Sequence, residues 1–144
     1  MDDYKVKVKD LSLRYGNNLA LRKISMNIPE KMVTAFIGPS GCGKSTLLNV
    51  LGLLDNPTGG EYLFLNQEVS GYSERQRAVL RKQNIGFVFQ SFNLIDELTV
   101  FENVELPLLY LDVQSSERKR RVDAVLERMN IMARRNHFPQ QLSG

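Results

Sequence analysis

Residues 32–46, "MVTAFIGPSGCGKST", decide how the rest of the chain is read. Met32 to Ile37 is apolar apart from Thr34, the pattern of a strand covered on both faces. Gly38, Pro39, Ser40, Gly41, Cys42, Gly43, Lys44, Ser45 and Thr46 follow, and they satisfy G-x-x-x-x-G-K-[ST] with Gly38, Gly43, Lys44 and Ser45 at the fixed positions. Next comes "KSTLLNVLGLLD", rich in apolar residues and without a polar stripe, which predicts a helix buried almost all round. Strand, glycine-rich turn and helix in that order mark the loop as a phosphate cradle. A polyphosphate concentrates several negative charges, so backbone N–H groups must surround it, and the loop needs residues that lack bulky side chains and tolerate positive φ. Gly41 and Gly43 meet that need. The helix start near Lys44 adds unpaired N–H groups and a positive dipole end; Lys44 is placed to reach the outer phosphates and Ser45 to ligate Mg²⁺. Cys42 is expected to be a small loop residue whose side chain points away.

Composition sets the class. The chain has 144 residues, 42% hydrophobic and 24% charged, as an ordinary globular protein does. Nineteen Lys and Arg against sixteen Asp and Glu leave a formal charge of +3, too mild an excess to identify a nucleic-acid binder. No apolar run approaches the roughly 20 residues of a membrane span, and "MDDYKVKVKD" at the N-terminus has no signal-peptide pattern. The single cysteine excludes an internal disulfide and agrees with a reducing cytosol.

Working outward, Tyr4, Val6 and Val8 alternate with lysines, and Ile24, Met26 and Ile28 alternate with Ser25 and Asn27, predicting two antiparallel strands. "NPTGGEYLFLNQ" reads as turn, short strand and turn. Ser73 with Gln76, and Thr99 with Glu102, form capping boxes ahead of two helices, the second expected to bend or end near Pro107. "IGFVF", 85–89, reads as a second fully apolar strand, with Gln90 directly after it. From Glu117 to about Arg135, Val122, Val125, Leu126, Met129 and Met132 recur at helical spacing on one face, with Ser115 or Ser116 as the cap.

Three further stretches line up with the cradle: "LRYGNNLALRKIS", "IGFVFQSFNLIDELTVFENVELPLLY" and the terminal "LSG". Together with the P-loop they resemble the ATP-binding subunit of ABC transporters, over the whole chain, and most closely its lipoprotein-release and macrolide-export class. The resemblance implies an α/β fold: a P-loop NTPase (RecA-like) core carrying an N-terminal antiparallel β subdomain, with the start of a helical subdomain. The expected division is residues 1–90 for the β subdomain and P-loop part, and 91–144 for the helical part. By that resemblance Tyr15 stacks on adenine, Gln90 is the glutamine that ligands Mg²⁺ and orients the attacking water, and Leu142, Ser143 and Gly144 begin a signature motif facing the γ-phosphate of an ATP held by an opposing subunit. Phe92 to Tyr110 is then the expected contact surface for the membrane subunit, although Phe92, Leu94, Ile95 and Leu98 equally fit a core. The implied cofactors are ATP and Mg²⁺. The implied partners are an integral membrane permease and a second ATP-binding subunit, with the protein cytoplasmic and peripheral at the inner face of the cell membrane. The signature is expected to be cut after its third residue, so that the later aspartate, catalytic glutamate and switch histidine lie beyond it. The parent protein is thus expected to be an ATPase, and this piece to bind nucleotide without hydrolysing it.

Competing assignments have definite residues behind them. The run 115–135 carries seven basic and three acidic residues, a charge pattern that would suit an ABC-type ATPase of nucleic-acid machinery. Only 52 positions separate Gln90 from Leu142, however, which leaves no long insertion of the kind such relatives carry. No N-K-x-D motif supports a GTPase. Asp96-Glu97 imitates an acidic catalytic pair, but Ser91 and Asn93 stand where a buried strand needs apolar residues. His137, the one histidine, is expected to be a plain surface residue.

Overall fold

The computed structural model describes residues 4–142, which divide between Gly86 and Phe87 into two compact units. That division falls four residues before the boundary expected after Gln90.

The first unit is built on a four-stranded antiparallel sheet of order β2-β1-β3-β4, from β1 (Tyr4–Tyr15), β2 (Asn18–Pro29), β3 (Gly59–Phe64) and β4 (Gln67–Glu68). The alternation of Val6 and Val8 with lysines is what it predicts: both valines are buried. Asp10 and Lys23 take positive φ of 50° and 46°, and the β1–β2 register shifts near them. These bulges are stitched by side chains: Ser25 Oγ accepts from the Asp10 N–H at 2.8 Å and Ser12 Oγ from the Lys23 N–H at 3.0 Å. Opposite the first bulge, Gly60 at φ +91° has no room for a side chain, since a Cβ would lie 2.5 Å from the Asp10 carbonyl oxygen.

Helix α1 (Lys44–Leu51) seals one face of this sheet. Leu47, Val50 and Leu51 are buried, whereas Leu48 is half exposed, so the helix is covered on one side rather than nearly all round. Tyr62 is fully buried against it and donates its hydroxyl to the Leu51 carbonyl at 2.7 Å; desolvation pushes the phenol pKa well up, keeping it a neutral donor. Helix α2 (Glu74–Asn84) begins at the expected Ser73–Gln76 capping box.

The two apolar runs expected to be doubly covered strands differ from that expectation. Neither 32–37 nor 85–89 joins a ladder among the described residues. Val33, Ile37 and Val88 are 97%, 95% and 101% exposed. An unbroken apolar run specifies a chain that suits two-sided burial, but neighbouring strands must supply that burial, and none does so within these residues.

The second unit pairs α3 (Val100–Tyr110) with α4 (Ser115–Arg128) around Val100, Val122 and Leu126. The Thr99–Glu102 capping box opens α3, which passes through Pro107 to Tyr110 instead of ending there. Helix α4 is capped by the backbone at Gln114, with no side-chain cap from Ser115 or Ser116, and it stops at Arg128. Val122 and Leu126 face inward, while Val125 and Met129 are 47% and 66% exposed, so the apolar face is narrower than its spacing implied. Met132 reaches the core from a short 3-10 turn, Met132–Arg134. Asn103 clamps the approach to α3: its Oδ1 accepts from the Ile95 N–H at 2.9 Å, and its Nδ2 donates to the Ile95, Leu98 and Thr99 carbonyls.

Candidate functional site

The glycine-rich loop stands where the β1–β2 hairpin meets the start of α1. Gly41 and Gly43 have φ of +78° and +92°, the conformation their sequence positions call for. Gly43 is also sterically required, because a Cβ there would stand 3.2 Å from both the Ala20 carbonyl oxygen and Leu21 Cδ2 of the hairpin. Around Gly41 there is open space, and Pro39, Ser40, Gly41 and Ser45 are exposed, so the loop presents a free outer surface.

The backbone donors of this loop are the decisive feature. Leu47 is the first residue of α1 to turn its N–H back on the loop, to the Gly43 carbonyl at 2.8 Å, and Cys42 reaches Pro39 at 3.4 Å. The N–H groups of Gly41, Gly43, Lys44, Ser45 and Thr46 find no acceptor among the described residues, and α1 has no side-chain cap. A cluster of unpaired donors at a helix N-terminus fits an anionic, multidentate group such as a phosphate chain. Lys44 adds a positive charge: its Nζ arches back to donate to the Gly38 and Pro39 carbonyls at 2.6 and 2.7 Å. Cys42 does not point away as expected, since its Sγ lies 3.5 Å from Lys44 Nζ and beneath Gly38. An open hollow of about 340 Å³ beside the loop is lined by Leu21, Phe36, Ile37, Lys44 and Leu47 among others, with no carboxylate in its wall.

Tyr15 ends β1 with its ring half exposed, paired in register with Asn18. Since Ala20 and Leu21 abut Gly43, the tyrosine sits on the same hairpin that backs the cradle. Its hydroxyl donates to Asp55 Oδ2 at 2.5 Å, and that bond raises the phenol pKa above its ordinary value.

The remaining sequence candidates fall in the second unit. Gln90 is exposed, in a bend after residues 85–89. Leu142 lines a hollow of about 490 Å³ with Phe92, Leu94, Asp96 and Pro139. Phe92, Leu94 and Ile95 are thus surface and not core, with Phe92 84% exposed. Ser143 and Gly144 lie outside the described residues. Asp96 and Glu97 form an exposed turn before α3 instead of closing a strand. His137 is more than a surface residue, because its carbonyl accepts the Val100 N–H at 2.9 Å and so anchors the start of α3. The basic run on α4 is largely ion-paired: Arg120 and Arg121 both bind Glu117, and Arg118 binds Glu105 at 2.8 Å. Those pairs draw charge away from the surface that a nucleic acid would need.

Fold and loop together define a P-loop protein. Residues 21–144 match the ABC transporter family, and the chain belongs to that family. It is 43% identical to the "Uncharacterized ABC transporter ATP-binding protein MJ1508" of Methanocaldococcus jannaschii, an alignment covering 96% of this chain and 64% of that protein. It is 42% identical to the "Macrolide export ATP-binding/permease protein MacB" of Brucella abortus, covering 96% of this chain and 22% of the relative. Among solved structures, the "Dimeric structure of a post-hydrolysis state of the ATP-binding cassette MJ0796 bound to ADP and Pi" superposes with a TM-score of 0.84 at 39% identity, over 96% of this chain and 63% of that one. The chain therefore spans less than two thirds of the length of these relatives.

Proposed function

We propose that this chain binds Mg-ATP at the loop 38–46, and that the whole protein uses the site to drive export or lipoprotein extraction through a membrane permease. One observation carries the binding reading: within one short loop, the backbone N–H groups of residues 41 and 43–46 find no acceptor among the described residues, and the Lys44 ammonium folds back onto the same loop at Gly38 and Pro39. In this reading Lys44 exchanges its two loop carbonyls for phosphate oxygens, and Ser45, exposed in the first turn of α1, is the Mg²⁺ ligand. The Tyr15 ring stacks on the base. Gln90 serves the metal and the attacking water, and Leu142, Ser143 and Gly144 face the nucleotide of a second copy in a dimer; the permease holds the protein at the inner face of the cell membrane. Export names among the relatives support the transport reading; the paired arginines of α4 weigh against a nucleic-acid one. Further strands of the whole protein would cover the exposed runs 32–37 and 85–89.

Binding and turnover separate in this reading. General-base assistance contributes about 10² to 10⁴ in rate, and no carboxylate lines the hollow beside Lys44. The 144 residues alone are expected to bind Mg-ATP with negligible hydrolysis. Calorimetric titration tests this: Lys44→Ala should weaken Mg-ATP at least tenfold by removing a charge-assisted phosphate contact. Absence of binding heat from the folded native chain, or equal affinity of the variant, overturns the proposal.

A further inference from the structure

The hydrogen bond between Tyr15 and Asp55 joins two parts of the first unit that are 40 residues apart in sequence. Both ends are held by backbone. On the Asp55 side, the Leu54 and Asp55 N–H groups both donate to the Asn49 carbonyl in the last turn of α1, at 2.8 and 3.2 Å. On the Tyr15 side, the preceding residue Arg14 donates its N–H to Thr58 Oγ1 at 3.1 Å, and Thr58 in turn donates its N–H to the Ser12 carbonyl at 2.8 Å. The turn 54–58 is therefore stitched to the end of β1 and to the end of the helix that carries the phosphate loop. An exposed tyrosine at the end of a strand ordinarily samples several rotamers, and ordering it on binding costs affinity. Here its hydroxyl is tied to a carboxylate that is itself fixed relative to α1.

We propose that Asp55 is a positioning residue for the nucleobase: it holds the Tyr15 ring in its stacking orientation before the nucleotide arrives, and so contributes to affinity for the base but not for the phosphates. This inference rests on the nucleotide-binding reading of the loop and on Tyr15 as the base platform. A carboxylate that accepts from the phenol also keeps it neutral, consistent with the upward shift of the Tyr15 pKa.

The test compares Mg-ATP with magnesium tripolyphosphate, which shares the phosphate chain and lacks the base, by calorimetry on the native chain, Asp55→Ala, Tyr15→Phe and the double variant. Asp55→Ala should weaken ATP about threefold to tenfold, the scale of one ordinary net hydrogen bond. Tripolyphosphate affinity should stay at the native value, which also shows that the variant is folded. Tyr15→Phe should reproduce the loss, and Asp55→Ala should add nothing in the Tyr15→Phe background. Equal weakening of both ligands by Asp55→Ala, or full additivity with Tyr15→Phe, overturns the proposal. Tyr15→Ala separates the two layers of the argument. If it leaves the ratio of ATP to tripolyphosphate affinity at its native value, the base-stacking reading itself fails. If it lowers the ratio and Asp55→Ala does not, only the positioning role fails.

Discussion

The two units solve the problem of holding a functional surface in opposite ways. In the first, an antiparallel sheet and α1 share a continuous core from Val6 to Val69, with Leu11 and Val50 completely buried. In the second, only Val100, Val122 and Leu126 are buried among the described residues, and polar devices carry the rest: the Thr99–Glu102 capping box, the Asn103 clamp and the Arg118–Glu105 pair. The glycine-rich loop is mounted on the first kind of scaffold. Its geometry depends on close backbone approach, as at Gly43 against Ala20, and that tolerance needs a rigid support. The exposed Phe92 and the apolar hollow it lines belong to the second kind, where a small core and many exposed hydrogen bonds allow the surface to yield.

The largest expected effect attacks the first core directly. Leu11→Ala deletes a side chain with no exposure and should destabilise the first unit by about 2–5 kcal/mol. For a unit of this size the melting temperature should fall by more than about 10 °C, and nucleotide binding should be lost with it. Leu126→Ala, equally buried in the second unit, should melt α3 and α4 while the paired amides of β1 and β2 keep their hydrogen-exchange protection. If Leu126→Ala abolishes ATP binding as Leu11→Ala does, the two units are not energetically separate.

A smaller effect sharpens the contrast from the polar side. Asn103→Ala removes one acceptor and one donor group, leaving the Ile95 N–H and the partly buried Leu98 carbonyl without their partner, while the Ile95 and Thr99 carbonyls keep the Leu98 and Asn103 N–H groups. The expected cost is about 1–3 kcal/mol, confined to the second unit and read as faster amide exchange at Ile95 and in α3. An unchanged exchange pattern would mean that the apolar trio alone holds this unit together.

How much of this was legible in the sequence follows from what kind of information each feature carries. Local devices were readable because they are written in adjacent residues: both capping boxes, the alternation of Val6 and Val8, and the glycines at 41 and 43 all take the conformations their spacing requires. The loop's conformation was legible for the same reason, since its glycines stand at a fixed spacing in the chain itself. Features set by neighbours were not. The runs 32–37 and 85–89 carry a buried-strand composition yet stay unpaired among the described residues, because burial belongs to the assembly of strands. Val125 and Met129 keep helical spacing with Val122 and Leu126, but the partner helix covers only a narrow stripe. Asp55 gave no signal at all: nothing in "GLLDNPTGG" reveals that its carboxylate meets a tyrosine 40 residues earlier.

The smallest expected effect concerns pH, and it tests whether charge contributes to the second unit beyond its caps. Glu117 accepts from Arg120 and Arg121 in the first turns of α4, and these hydrogen bonds hold its carboxyl at about 2, below the ordinary 4.5. A folded-state pKa below the unfolded one contributes stability that is complete above the unfolded value and is lost as pH falls through the folded one. Stability of α4 should therefore decline between about pH 4.5 and 2, and Glu117→Gln should flatten that part of the profile while leaving the first unit unaffected. The pairs are exposed and screened, so the change should be slight and should vanish in high salt. Glu74 offers the matching probe in the first unit, where Arg81 and Arg77 lower its carboxyl in the same direction. With the larger apolar core beside it, Glu74→Gln should alter the melting of the first unit by a smaller fraction than Glu117→Gln alters the second. A larger fractional effect at Glu74 would show that surface charge, and not core size, sets the balance between the two units.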